Sequence, residues 1–500
     1  MRAIPGRESP GEWRVPVLDI RFATARSASG AVAVVVPSGS PDAALDLLKL
    51  GPADLAECAA FLEDVEHSGS AGTVHTLPRP GRKPSRLLFA GIGDGDEAGW
   101  RSAGAALARK ARTETSLRVL AAHDTPPEAV RGLAEGLWLA SYRFSLADTE
   151  PDPLRRVTVA LPATGETTGA LEQARAVVTA TVLARDLTNM PSDRKTPAWF
   201  ARQVVKAAAG VPGLTVEVRE PSYLAAQGFN AILAVGRGAA TERGPRLVEM
   251  SWRPRGAKRH VVLVGKGITF DTGGICIKPT SNMRLMRKDM GGAAAVIGAT
   301  LAAAAMRLPV RVTALAPLAE NALGADAMRP GDVVTHYGGL TSEILNTDAE
   351  GRLVLGDAMA YAVRRLRPDV MIDLATLTGA QGVALGKRTA AMYSYSDTLA
   401  GALATAAAAS GESVWRMPLS DDYADELDGD VADLVNSTDI GAGSLLAALY
   451  LREFTGPLRD RWAHFDMSSP AWSDSNDGEL AKGATGWGVR TLTRWLETAS

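Results

Sequence analysis

The fold class predicted is α/β in two domains: a smaller N-terminal α/β domain and a larger C-terminal one, whose central mixed, mainly parallel sheet is flanked by helices. Three observations predict it. Apolar runs such as HVVLV (260–264) and DVMID (369–373) lack the alternation of a half-exposed strand and read as strands buried on both faces. Strand and helix patterns alternate along most of the chain, the signature of parallel pairing through crossover helices. With 46% apolar and 22% charged residues, a chain of 500 residues can bury two or three sizeable cores.

Taken in order, residues 1–30 read as a lead-in to a strand at Ala31–Val36. Helical or turn character follows at Asp42–Leu50 and Pro52–Leu62, then a buried strand at Ser85–Gly91 and an Ala-rich helix at Trp100–Arg112. Leu117–Ala122 and Arg156–Leu161 are further strands around a helix at Pro127–Ala140. The turn GIGDGDE after Leu87–Ala90 has the glycines of a phosphate cradle, but an ordinary strand-to-helix turn needs them equally. No catalytic cluster stands in residues 1–180. The domains expected are therefore 1–165, a linker helix at 166–190, and 191–500.

The linker helix reads as Leu171–Thr188 and stops at NMPSDRKTP, where Pro191 and Pro197 interrupt it. Thr196 is placed to cap a new helix with Pro197 at its first position, running to Ala209. Strands are then expected at Leu214–Arg219, Ala231–Val235, Arg246–Trp252, His260–Val264, Val310–Ala316 and Val370–Leu374. Helices are expected at Tyr223–Gly228, Gly291–Met306 and Leu353–Leu366.

Composition bounds the function. The formal net charge is −2, so nucleic-acid binding is not indicated and no overall attraction to anionic membranes exists. The N-terminal MRAIPGRESPGEW has no apolar signal region, and the uncharged stretch Gly291–Met306 is shorter than a membrane span. Two cysteines, Cys58 and Cys276, exclude a disulfide framework and suit a reducing compartment. A cytoplasmic protein with no membrane partner is expected.

The chemistry gathers in two glycine-rich segments, 264–291 and 346–353. They hold Lys266, Asp271, Lys278, Asp289, Asp348, Glu350 and Arg352. Functional residues of open α/β sheets lie beyond the carboxyl ends of strands, where Lys266 and Asp271 fall. Asp348 and Glu350, two apart, share a face only in extended chain, so they read as a loop pair entering the helix at Leu353. Four carboxylates in one α/β layer need cationic compensation, and two divalent ions sharing them would supply it and activate a water. Oxygen donors suit Mg, Mn or Zn. The six histidines (67, 75, 123, 260, 336, 464) are scattered and form no HExxH.

Each piece alone has a plainer meaning. VGKG superficially matches a phosphate loop, yet Gly267 stands where Walker A needs Ser or Thr. FDTGG alone is a turn, and DAE alone an acidic helix start with Arg352 as its surface partner. Met286 alone is ordinary core packing. Together they make a purely structural role improbable. A two-metal phosphoesterase would explain the acids as well, but not the lysines and ATLTGA beside them.

VGKGITFDTGGICIKP (264–279), MRKDMGGAAAV (286–296) and NTDAEGRLVLGDA (346–358) resemble the signatures of the leucyl aminopeptidase family, two-metal cytosolic exopeptidases. NMPSDRKTP (189–197), ATLTGA (375–380) and GAGSLLAALYLREF (441–454) add to the resemblance, which is strong over residues 180–500. Residues 1–165 match in size and alternation, as the family's variable, macro-like N-terminal domain. The resemblance implies that Asp271 and Glu350 bridge two divalent ions (Zn or Mn). Lys266 and Asp289 would complete the tighter site and Asp348 the exchangeable one. Lys278 would be the protonated electrophile and Arg352 the holder of a bicarbonate base. It also implies a side-chain pocket at Met286, Thr376, Gly379 and Ala471 for leucine-like residues, peptide substrates, and a homohexamer. Cys276 stands where many members have serine, and Gly356 where alanine is common; neither is an implied ligand.

Overall fold

The computed structural model describes residues 18–24, 30–39, 41–147 and 152–499. Of the lead-in expected over 1–30, positions 1–17 and 25–29 lie outside the described residues. Asp19–Phe22 forms a short strand, β1. The N-terminal sheet adds β2 (Ala31–Pro37), β3 (Val74–Pro78), β4 (Arg86–Gly93), β5 (Ser116–Leu120) and β6 (Arg156–Val159). Its order is β1-β6-β5-β2-β4-β3, parallel throughout except where β3 runs against β4. Helices α1 (Pro41–Leu48) and α2 (Pro52–Asp64) cover one face, α3 (Glu97–Lys110) and α4 (Pro127–Ala140) the other. The turn after β4 leads into α3 through Asp96, whose side chain accepts from Gly99 N at 2.7 Å.

Helix α5 (Gly165–Asn189) serves both cores. Ala170, Ala174 and Val178 pack into the N-terminal core, and Leu183, Ala184 and Leu187 into the other. Ion pairs hold the same junction. Arg131 on α4 grips Glu497 with bonds of 2.7 and 3.1 Å, and Arg101, paired with Glu135 on α4 at 3.0 Å, donates across the junction to the Ala409 carbonyl at 2.8 Å. Arg185, fully buried, donates to the Leu139 and Thr485 carbonyls at 2.9 Å each.

The second domain opens with α6 (Pro197–Ala208), capped as its sequence predicts by Thr196, which accepts from Trp199 N at 3.1 Å. β7 (Leu214–Arg219) and α7 (Pro221–Gln227) follow. Ala231–Val235, expected as a strand, is instead helix α8 (Asn230–Gly236). Five apolar residues carry no decisive period. What selects the helix lies 126 positions away: Asp357 Oδ2 accepts from Ala231 N and Ile232 N at 3.0 Å each, capping the first turn.

The large sheet contains β8 (Arg246–Trp252), β9 (His260–Gly265), β10 (Gly267–Asp271) and β11 (Arg311–Asn321). A small three-stranded sheet, β12 (Val333–Thr335), β13 (Thr341–Glu343) and a later β17 (Leu434–Val435), lies apart. β14 (Val370–Ala375), β15 (Thr389–Tyr393), β16 (Ser413–Arg416) and β18 (Trp462–Asp466) complete the large one. Its order is β16-β15-β18-β14-β9-β11-β8-β7, with β10 on β11. The centre, β18-β14-β9-β11, is parallel; β8, β7 and β15 run against their inner neighbours.

Between these strands run α9 (Thr280–Met283), α10 (Gly291–Ala305), α11 (Glu350–Tyr361), α12 (Gly379–Leu385), α13 (Asp397–Ser410), α14 (Gly443–Arg452) and α15 (Val489–Thr498). α10 is built of Gly, Ala and small apolar residues and is buried almost all round, which lets it lie close on the sheet. α11 begins at Glu350, three residues earlier than the sequence suggests, and closes in a π-helical turn at Ala362–Leu366. Among the described residues no helix is long and apolar enough to cross a membrane.

Candidate metal centre

The carboxyl ends of the central strands meet at one place. Lys266 sits between β9 and β10, its N–H bonded to Leu374 O on β14 and its carbonyl to Ala293 N on α10. Asp271 is the last residue of β10 and is paired in register with Asn321, the last of β11. Asp289 follows the 3₁₀ turn Met286–Lys288 and precedes α10. Asp348 comes from the loop before α11, and Glu350 is the first residue of α11, where the helix dipole favours a carboxylate.

Their side chains converge. Oxygens of Asp271, Asp348 and Glu350 all lie within 4.8 Å of one another. Lys266 Nζ reaches both Asp289 oxygens at 2.9 Å, Glu350 Oε1 at 2.8 Å and the Thr376 carbonyl at 3.0 Å. Lys278 Nζ lies 2.9 Å from Asp271 Oδ2 and 2.5 Å from Asp348 Oδ1. Two glycines make the approach feasible. A Cβ on Gly351 would stand 2.5 Å from Lys266 Cε. One on Gly273, whose φ is +87°, would stand 2.4 Å from Cys276 O and 2.8 Å from Asp348 Oδ1.

The electrostatics are those of a crowded acid site. Burial, then the neighbouring Glu350 and Asp289, pushes the Asp271 carboxyl well up, and burial takes Asp289 up to about 6. Burial followed by Glu350 also raises Asp348. Glu350 goes the other way: burial opposes its charge, but Lys266 and Lys278 hold it below the usual range. Burial likewise opposes the charge of both lysines, and the surrounding carboxylates overcome it, Asp289 and Glu350 for Lys266 and Asp271 first for Lys278.

Four carboxylates against two ammonium groups leave the cluster acidic. Asp289 Oδ2, Asp348 Oδ1 and Glu350 Oε1 are buried without a well-directed hydrogen bond. Buried anionic oxygens aimed at a common space and underprovided with donors fit divalent cations.

Other predicted residues stand nearby. Arg352, 8% exposed, stacks its guanidinium 5.9 Å from the Tyr450 ring, with Nε unpartnered. Thr376 Oγ1 donates to Asp289 Oδ1 at 2.7 Å. Thr376 and Ala471 converge with Met467 on Gly291, where an added methyl group would lie 3.5–3.8 Å from all three. Met286 is half-buried on the turn before Asp289, and Gly379 opens α12 at the surface.

Sequence reasoning missed several supports. Asn321 donates to Asp271 Oδ1 at 2.8 Å and to the Thr347 carbonyl at 3.0 Å. Asp466 accepts from Thr378 Oγ1 at 2.6 Å and from Leu377 N at 3.1 Å, which shapes the ATLTGA loop. The signal for both was a polar residue ending an apolar strand. Cys276 is half-buried and Cys58 buried; both thiols are free.

Known proteins share this chain's sequence and fold. Residues 182–493 match the model of the cytosol aminopeptidase family, catalytic domain, and residues 47–151 that of the family's N-terminal domain. A probable cytosol aminopeptidase of Corynebacterium glutamicum is 40% identical over 88% of each chain, and one of Mycobacterium tuberculosis is 41% identical over 89% of this chain and 88% of its own. Among solved structures, a mutant of tomato leucine aminopeptidase has TM-score 0.86 at 30% identity and covers 98% of both chains. A bottromycin maturation enzyme in complex with Mn has TM-score 0.83 at 36% identity, covering 94% of this chain and 99% of its own. The chain belongs to the cytosol aminopeptidase family and is a metal-dependent aminopeptidase.

Proposed function

We propose that the enzyme releases apolar, leucine-like residues from peptide N termini with the aid of two divalent ions, Zn or Mn. The observation that carries this reading is the convergence of Asp271, Asp348 and Glu350 oxygens within 4.8 Å, flanked by Lys266 and Asp289. Asp271 and Glu350 would bridge the ions, Lys266 and Asp289 would complete one site, and Asp348 the other. When bound, the ions would lower the pKa of a shared water and polarise the scissile carbonyl.

The chain's own groups do the rest. Lys278, kept protonated by Asp271, would donate to the carbonyl oxygen as negative charge develops there. Lys266 must give up its proton to act as a ligand, because an ammonium has no lone pair. Arg352 cannot take a proton, so a bicarbonate held by its guanidinium would serve as general base. The tomato relative is named a leucine aminopeptidase, and Met467, Thr376 and Ala471 around Gly291 support an apolar side-chain pocket here. Membership of the family supports assembly with further copies as a homohexamer. The relatives' printed names support a cytoplasmic location.

The test is hydrolysis of leucine p-nitroanilide by chelator-stripped protein before and after Mn or Zn is added, with Glu350→Ala alongside. Metal-restored activity in the wild type and none in the variant is expected. A metal-loaded wild type inactive on this substrate and on a dipeptide panel would overturn the reading.

A further inference from the structure

Lys195 lies in the loop between α5 and α6 and is fully buried. Its ammonium donates to the Thr188 carbonyl at 2.9 Å, to Met290 Sδ at 3.2 Å and, in a short contact, to the Arg287 carbonyl. All three acceptors are neutral; among the described residues no carboxylate hydrogen-bonds or ion-pairs with it, and Asp289 is the charge near enough to favour its proton. An ammonium buried without an anion is costly, and a linear apolar side chain would fill the same space more cheaply. Stability alone therefore gives no reason for a lysine here.

Position does. Thr188 belongs to the last turn of α5, a helix fixed in both cores. Arg287 and Met290 flank Asp289 on either side. The ammonium thus ties the backbone before Asp289 and the side chain after it to one rigid post. On the opposite side, Thr376 Oγ1 and Lys266 hold the Asp289 carboxylate at 2.7 and 2.9 Å. Met286 rides on the same turn.

We infer that Lys195 is a positioning residue: it fixes the turn 286–290 so that Asp289 meets its metal and Met286 walls the side-chain pocket. The inference rests on the ligand role proposed above for Asp289 and on the pocket role that the family resemblance implies for Met286. Lys195→Met removes the donor at similar volume, and Lys195→Gln keeps a shorter one. The metal-stripped proteins are titrated calorimetrically with Mn alone, and kcat/KM is compared for leucine and alanine substrates.

For Lys195→Met the melting temperature should hold or rise, the affinity for the tighter Mn should fall about tenfold, as for other residues that orient metal ligands, and the leucine-to-alanine ratio should fall several-fold. Lys195→Gln should lie between. Unchanged Mn affinity and ratio would overturn the inference. So would a large fall in melting temperature in both variants with the ratio intact, the mark of a purely structural role. Asp289→Asn separates the two levels. If it leaves Mn affinity unchanged, the reading of Asp289 as a ligand fails; if it weakens Mn while Lys195→Met does not, only the role of Lys195 fails.

Discussion

Asn321 and Asp271 end adjacent parallel strands in register, and the Asn321 amide donates to Asp271 Oδ1 across 2.8 Å. The same amide reaches the Thr347 carbonyl, so one side chain ties β10 to the loop that carries Asp348. Asp271 Oδ2 faces Lys278 Nζ at 2.9 Å and is the oxygen left for the proposed metal. Asn321→Ala should therefore lower metal affinity or kcat about 10–100-fold, the usual effect of removing a ligand's orienting partner. Metal titration and steady-state kinetics on the same preparation would show it.

Much of the candidate site is legible in the sequence. Lys266, Asp271, Lys278, Asp289, Asp348 and Glu350 stand out because charges among glycines and apolar strands have no cheap structural use, and in the fold their side chains converge. Asn321 was not legible: one amide after an apolar strand looks like any strand end until β10 is seen beside it. The helical state of Ala231–Val235 was equally hidden, because its cap, Asp357, is remote in sequence. Strands β15, β16 and β18 were not assigned, although WAHFD (462–466) is a buried run of the kind recognised elsewhere. Local pattern reports burial well; it does not report which distant group satisfies the buried backbone.

Glu350 is 1% exposed and faces Lys266 at 2.8 Å from the first position of α11. Glu350→Gln keeps the shape and removes one charge. Activity should fall at least about 100-fold, the cost of losing a charged group aimed at the reacting centre. Elemental analysis should find fewer bound ions per chain than in the wild type. A variant with full metal content and full activity would remove Glu350 from the proposed bridge.

His260 gives a pH dependence unconnected with the metal centre. It lies at the opposite end of β9, its ring 3.0 Å from Thr313 Oγ1. Burial, then Arg311, lowers its pKa to about 4. Below roughly pH 6.5 the unfolded chain takes up a proton that the folded one refuses down to about pH 4. Stability contributed by the neutral ring is thus full above that window and is lost as pH falls through it. Between pH 7 and 5 the wild type should lose about 1–2 kcal/mol more than His260→Gln, a variant that keeps a hydrogen-bonding group but does not titrate. Urea denaturation at the two pH values measures the difference.

Glu135 holds two arginines at the domain junction. It is 2% exposed, accepts from Arg101 Nε at 3.0 Å and from Arg131 Nε at 3.2 Å, and Arg131 continues to Glu497 on α15. Burial works against its charge, but Arg101 and then Arg131 hold its carboxyl below the usual range. Glu135→Gln weakens two charged hydrogen bonds while Arg101 keeps Glu97 at 3.0 Å and Arg131 keeps Glu497 at 2.7 Å, and should cost about 1.5–3 kcal/mol. The loss should fall on the docking of the N-terminal sheet, because α3 and α4 carry Arg101 and Arg131 while the metal cluster lies beyond the far ends of β9–β11. Calorimetry should accordingly split a single unfolding transition into two, the earlier one belonging to the N-terminal domain. Metal-dependent activity should survive the first transition and vanish with the second. Adding salt should not reproduce the effect in the wild type, because a buried pair is screened far less than a surface one.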